Sequence, residues 1–381
     1  MRARDLGIEI GRLNPGPLDS IGDVSGVRVG HITLIEGEGP LQVGHGPVRT
    51  GVTVVVPHDG DIWREPLFAG CRRLNGNGEL TGLEWIRESG MLGGAIGLTN
   101  THSVGVVHDA LIAAAARSRA DEEFWSLPVV GETYDGALND LNGFHVRPEH
   151  VDAALASASS TVAEGNVGGG TGMICHEFKG GIGTASRCLH RSQGGWTVGV
   201  LVQANYGRRE LLRIDGVPVG REISLDEVPS PWDQLKAVRS GTDRSSADGG
   251  SIIVVVATDA PLLPHQCARV AQRPALGLGR MGSYASHSSG DLFLAFSTDN
   301  RGISERAGES DRRLTTSVSM VVDGQIDPLF EATVEATEEA VVNALLAAET
   351  MTGRDGVTAP ALPHDRLREV MMRYGRLQAH R

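Results

Sequence analysis

The stretch Ser245-Ser-Ala-Asp-Gly-Gly-Ser-Ile-Ile-Val-Val-Val-Ala-Thr-Asp259 sets a polar, glycine-rich approach against five branched apolar residues, Ile252 to Val256. Such a run, bounded by turn residues, reads as a strand buried on both faces. A serine as the first residue of a central strand has two readings. One is a glycine-serine turn entering an ordinary core strand. The other is a chain that is cut between Gly250 and Ser251, so that the strand begins with a new amine and a hydroxyl. Glycine suits the position before such a nucleophile, because it tolerates unusual backbone angles and has no side chain to block attack. The freed amine, with an unperturbed pKa of roughly 7.7–8.0, can act as base for its own hydroxyl.

Outward from that point, the composition narrows the class. The chain has 381 residues, 40% of them hydrophobic, enough for a substantial core in one large domain or two smaller ones. Glycine supplies 51 residues, about twice the usual share of roughly 7%, as suits a compact α/β enzyme with many tight turns. A net charge of −12 with no basic stripe excludes a nucleic-acid surface. Cys71, Cys175, Cys188 and Cys267 show neither metal-ligand nor disulfide spacing and fit small buried hydrophobes in a reducing compartment. The N-terminus lacks a secretory apolar core, and no apolar run approaches about 18 residues. A cytoplasmic protein that neither spans nor binds a membrane is expected.

Along the chain, residues 20–35 alternate apolar and polar and read as a hairpin or edge strand, and Gly51–Val56 as a strand stopped by Pro57. Leu74-Asn-Gly-Asn-Gly-Glu-Leu-Thr-Gly82 is a glycine/asparagine loop whose spacing fits neither phosphate-binding motif, so a close-packed turn near a pocket is expected, feeding a helix through Arg87. A glycine-rich strand over 93–99, a helix over Val104–Arg117, a short strand at Val129 and a helix over Pro148–Ser157 follow. Strands are expected around Met173–His176, Ile182–Ser186 and Trp196–Gln203, and residues 208–250 read as a linker. After Ser251 come a helix near Leu262–Gly279, strands at Leu292–Ser297 and Leu314–Val322, and a long helix opened by Asp327-Pro328 and stopped by Gly353. Strand runs broken by paired helices predict layered sheets with helices outside.

Other candidate nucleophiles follow glycine at Cys71, Thr171, Thr184, Thr242 and Ser283, but none opens a β-branched run. There is no Gly-x-Ser-x-Gly elbow and no His-Glu-x-x-His. His287, beside Ser288 and Ser289, reads as a loop histidine.

Six motifs occur in order: Asp23-Val-Ser-Gly-Val-Arg-Val-Gly-His31, Leu74-Asn-Gly-Asn-Gly-Glu79, Glu132-Thr-Tyr-Asp-Gly136, Val202-Gln-Ala-Asn-Tyr-Gly207, Gly250-Ser251 and Ser289-Gly-Asp-Leu-Phe-Leu-Ala-Phe-Ser297. Through them the chain resembles, over nearly its full length, the L-aminopeptidase/D-esterase and β-peptidyl aminopeptidase family of self-processing N-terminal-serine aminopeptidases. The resemblance implies a four-layer αββα sandwich, akin to N-terminal-nucleophile hydrolases with different connectivity. It implies one domain over 1–381, cut into a 1–250 α chain and a 251–381 β chain that stay associated. Homo-tetramers or larger assemblies, short peptide or aminoacyl amide and ester substrates, and no cofactor or metal are implied too. Ser251 matches the nucleophile, Ser289 and Asp291 the proton-handling pair, Asn205 the oxyanion donor, and Glu132 the group that reads the substrate ammonium. Tyr134 and Trp125 match pocket aromatics. Asp291 is one methylene shorter than the glutamate some members carry. Two further readings compete: an acyl or aminoacyl transferase of ornithine acetyltransferase type, for which threonine is expected at the cut, and an inactive scaffold that stays whole.

Overall fold

The computed structural model describes residues 1–119, 122–238, 250–303 and 314–377. Thr242 and the approach from Ser245 to Gly249 lie outside them. In chain order the strands are β1 (Arg28–Glu36), β2 (Val48–Val56), β3 (Leu67–Gly76), β4 (Met91–Leu92), β5 (Ile96–Asn100), β6 (Val129–Thr133), β7 (Ile174–Cys175), β8 (Phe178–Lys179), β9 (Gly181–Cys188), β10 (Thr197–Asn205), β11 (Ser251–Thr258) and β12 (Gly290–Ser297). The helices are α1 (Leu83–Ser89), α2 (Val104–Arg117), α3 (Pro148–Ala156), α4 (Val219–Glu222), α5 (Pro231–Val238), α6 (Pro264–Val270), α7 (Pro274–Arg280), α8 (Asp327–Ala347) and α9 (His364–Arg373).

Two large sheets result, one of four strands in the order β1-β2-β5-β6 and one of six in the order β4-β3-β12-β11-β10-β9, beside two two-stranded ribbons, β7 with β8 and β13 (Met351–Thr352) with β14 (Thr358–Ala359). Strand β11 shows why they stack. Ile252, Val254 and Val256 point into the core shared with α8, while Ile253, Val255 and Ala257 point into the core between the sheets. Period-two alternation thus buries both faces of one strand, each branched side chain contributing about 1.5–3 kcal/mol by leaving water. Helices α2 and α3 cover the outer face of the small sheet through Val107, Leu111 and Val151. The four layers implied by the resemblance are those observed.

Helix α8 is buried nearly all round, carboxylates included. Glu335 and Glu339, one turn apart, ion-pair with the fully buried Arg187 of β9 at 3.1 and 2.6 Å, which lets acidic residues sit inside the core. The helix ends at Ala347 with Ala348 already extended, so Gly353 is not its stop. The single helix expected over 262–279 is two, because Pro274 has no N–H to continue α6 and instead opens α7. Residues 314–322 form no strand. Both neighbours of β11 and β12 are taken, and Leu314 is 98% exposed. The linker reading of 208–250 is also corrected in part, since α4 and α5 fall inside it. Strand β3 had no counterpart in the sequence reading, because Arg72 and Arg73 interrupt its apolar pattern where it leaves the core. No helix among the described residues is long and apolar enough to cross a membrane.

Candidate active site

Ser251 opens β11 between two neighbours. It stands opposite Asn205 in the antiparallel ladder with β10 and opposite Gly290 in the parallel ladder with β12. The backbone N–H of Gly290 donates to Ser251 Oγ at 3.1 Å, holding the hydroxyl in one rotamer in a site only 7% exposed. Position 250 is sterically closed. A Cβ there would lie 2.3 Å from the Asn205 carbonyl oxygen and 2.4 Å from Tyr206 Cα, so only glycine passes between them.

The Asn205 carboxamide is fixed at both ends. Its Oδ1 accepts from the Ile174 N–H at 2.8 Å, and its Nδ2 donates to the Tyr134 carbonyl at 3.0 Å. A donor on one side and an acceptor on the other define which atom is nitrogen. An amide nitrogen carries two protons, so one is available beyond the bond to Tyr134.

Beside this pair, Ser289 Oγ donates to Asp291 Oδ1 at 2.7 Å, and Asn75 Nδ2 approaches Asp291 Oδ2 at 3.4 Å. Burial pushes the Asp291 carboxyl above the usual carboxylate range, and those two side chains with the Ile252 N–H pull it part of the way back. Asn75 is the penultimate residue of β3, at a bulge where that strand pairs with β12, so residues 74–76 of the asparagine/glycine stretch are strand and only 77–82 are loop. Asn77 Nδ2 binds the Ser288 carbonyl at 2.7 Å. The loop is therefore the close-packed turn expected.

Glu132 is the penultimate residue of β6 in the small sheet and is buried. Its Oε1 accepts from the Glu79 N–H at 3.0 Å, and its Oε2 accepts from Thr101 Oγ1. Burial raises its pKa, and these two bonds oppose the rise. Gly78 separates it from the serine's neighbour. A Cβ on Gly78 would be 3.0 Å from Glu132 Oε1 and 3.4 Å from Gly290 Cα. A hydroxyl, a fixed amide, a serine–carboxylate pair and a buried carboxylate therefore converge where the two sheets meet.

A model for peptidase family S58 matches residues 19–359. The chain belongs to peptidase family S58. This S58 chain is 49% identical over 379 residues to a β-peptidyl aminopeptidase, BapA, of Sphingosinicella microcystinivorans, covering 99% of this chain and 93% of that protein. Among solved structures it is similar to a Burkholderia β-aminopeptidase at 52% identity and a TM-score of 0.89, covering 98% and 99% of the two chains. It is likewise similar to the L-aminopeptidase D-Ala-esterase/amidase of Ochrobactrum anthropi at 44% identity and a TM-score of 0.87, covering 99% of each chain. That enzyme is described as a prototype for the serine aminopeptidases and a new variant among the Ntn hydrolase fold.

In the S58 chain the two expected aromatics part company. Tyr134 follows β6 and its carbonyl binds Asn205, which seats it at the site. Trp125 is 47% exposed and stands edge-on to Trp85 of α1 at 6.1 Å, while its carbonyl accepts from Trp63 Nε1; these contacts belong to an aromatic cluster rather than to Ser251. Residues that sequence reasoning passed over are Asn75, Gly78 and Thr101. The Asn-Gly-Asn-Gly loop was the available signal for the first two; Thr101 offered none.

Proposed function

We propose that this S58 aminopeptidase is self-processing, with Ser251 as its nucleophile. In the precursor the Ser251 hydroxyl attacks the Gly250 carbonyl carbon. The peptide C–N bond breaks as the departing amine takes up a proton, leaving Gly250 esterified to the serine oxygen. Water hydrolyses that ester, giving a 1–250 chain ending in a carboxylate and a 251–381 chain beginning with a free amine. The amine then takes the hydroxyl proton while Oγ attacks a substrate carbonyl, and returns it to the leaving group. Water completes the cycle by freeing the acyl group. The supporting observation is the register that sets Ser251 between Asn205 and Gly290, with glycine sterically required at 250.

The second Asn205 amide proton serves the oxyanion, an interaction whose loss typically costs about 10²–10³ in rate. Ser289 and Asp291 handle protons beside the serine. Glu132 pairs with the free ammonium of the substrate, restricting the enzyme to N-terminal residues of short peptides, amides or esters; Tyr134 lines the acyl pocket. β-Aminoacyl substrates come first, since the two relatives near half identity are named for them. An assembly of tetramer size or larger is supported by large apolar side chains at the surface, Trp85, Trp125 and Leu127. Four unpaired cysteines support a cytoplasmic location.

Intact mass under denaturing conditions tests the reading. Two fragments divided at 250/251 are expected, and Ser251→Ala should stay whole and inactive. A wild-type chain that stays whole supports the inactive scaffold, and a Ser251→Ala variant that still hydrolyses an aminoacyl p-nitroanilide removes Ser251 as nucleophile. Hydroxylamine trapping separates hydrolysis from transfer to an acceptor.

A further inference from the structure

Lys179 is a fully buried lysine with no role in the chemistry above. Its ammonium donates to three main-chain carbonyls, those of Met173 and Gly180 at 2.8 Å each and of Gly170 at 3.3 Å. Three acceptors use all three protons of an ammonium. Burial draws its pKa down to about 7, while the nearby Cys175 and Asp135 oppose the fall.

The place of this clasp is informative. Strands β7 and β8 form a hairpin in which Lys179 pairs with Ile174, and Met173 and Gly180 are the residues just outside it. The lysine thus ties the two chains of the hairpin together at its base. At the tip, His176 and Glu177 have φ of 49° and 63°, the left-handed pair that a two-residue turn demands and that non-glycine residues adopt at a cost in strain. The hairpin is pressed on the end of β10. The His176 N–H donates to the Tyr206 carbonyl at 2.7 Å, and a Cβ on Gly180 would lie 2.4 Å from the Ala204 carbonyl oxygen. The Ile174 N–H, directly across from Lys179, is the donor that fixes Asn205 Oδ1.

We propose that Lys179 is a positioning residue for the oxyanion amide: by clasping the base of the β7–β8 hairpin it sets the Ile174 N–H, which in turn fixes the Asn205 carboxamide. This rests on the reading of Asn205 as the oxyanion donor.

The test is a double-mutant cycle of Lys179→Met with Asn205→Ala, read by the rate at which the full chain divides into two fragments and, on cleaved enzyme, by kcat and KM. Asn205→Ala alone should slow cleavage about 10²–10³-fold. Lys179→Met alone should slow cleavage and lower kcat about tenfold, a fraction of that loss, with KM within about twofold. Added to Asn205→Ala, it should cost nothing further, because it acts through the amide already removed. An equal loss in both backgrounds, a change confined to KM, or wild-type behaviour of Lys179→Met overturns the assignment. A full-rate Asn205→Ala variant instead removes the oxyanion reading on which it rests. Should methionine at 179 leave the chain unfolded by circular dichroism, Lys179→Arg, which keeps the charge and the donors, carries the same cycle with a smaller expected loss.

Discussion

The two sheets bring different kinds of residue to one site. On the six-stranded sheet Asn205, Ser251 and Gly290 sit on adjacent strands, their spacing set by ladder hydrogen bonds, with Ser289 and Asp291 on either side of Gly290. On the four-stranded sheet Glu132 is held by a loop N–H and a threonine hydroxyl. Side-chain bonds tie the sheets together: Asn205 to the Tyr134 carbonyl, and Gln203 Nε2 to the Thr99 carbonyl and Thr133 Oγ1. In the proposed mechanism the large sheet breaks the bond and the small sheet reads the substrate. Self-cleavage presents no free ammonium to read. It should need the large sheet alone, whereas turnover needs both.

Asn205→Ala gives the largest effect that can break this division. Self-cleavage and kcat should fall together by about 10²–10³-fold, because one amide serves both reactions. A variant that matures normally and loses only turnover would place Asn205 on the recognition side. Glu132→Gln is expected to do what Asn205→Ala should not. Cleavage at 250/251 continues, while kcat/KM drops on the order of 10²-fold through loss of a buried charge partner. The pH profile sharpens it. In the proposed mechanism turnover requires the Ser251 amine neutral and Glu132 ionised, so log kcat/KM should fall with unit slope below the amine pKa and twice that slope below the pKa of Glu132. Burial raises that second value above the usual carboxylate range, and Glu132→Gln should leave the single slope. A profile unchanged in steepness would remove Glu132 from substrate recognition.

Legibility in the sequence followed the same line. The run after Ser251 announced a strand buried on both faces, and β11 is one, because period and composition are local properties. The roles suggested for Asn205, Glu132, Ser289 and Asp291 came from resemblance, since nothing local says that residues tens of positions apart share a register. Residues 314–322 misled for the converse reason. Leu314, Val318, Met320 and Val322 recur at even spacing, yet β11 and β12, the strands that precede them in the chain, already have partners on both sides, and these four residues face solvent. Lys179 was invisible in the same way, for a buried lysine satisfied by carbonyls leaves no pattern in the chain.

Asp291→Asn gives the smallest effect and tests whether the large sheet carries its carboxylate for chemistry or for structure. Asp291 accepts the Ser289 hydroxyl proton at 2.7 Å. An asparagine is a weaker acceptor, so cleavage and kcat should both fall about tenfold, below the 10²–10⁴ typical of a direct general base. Stability should move the other way. The native carboxyl holds its proton more tightly than an unfolded one, because burial dominates its environment. Folding is therefore favoured as pH falls through the raised native value toward the unfolded one, and at neutral pH the ionised group costs stability. Asparagine removes that cost, so the variant should be slower yet melt at or above the wild-type midpoint at pH 7, with less gain from acidification. Slower and less stable together would mean that the carboxylate holds β12 and β3 in place and reaches the reaction only through the fold.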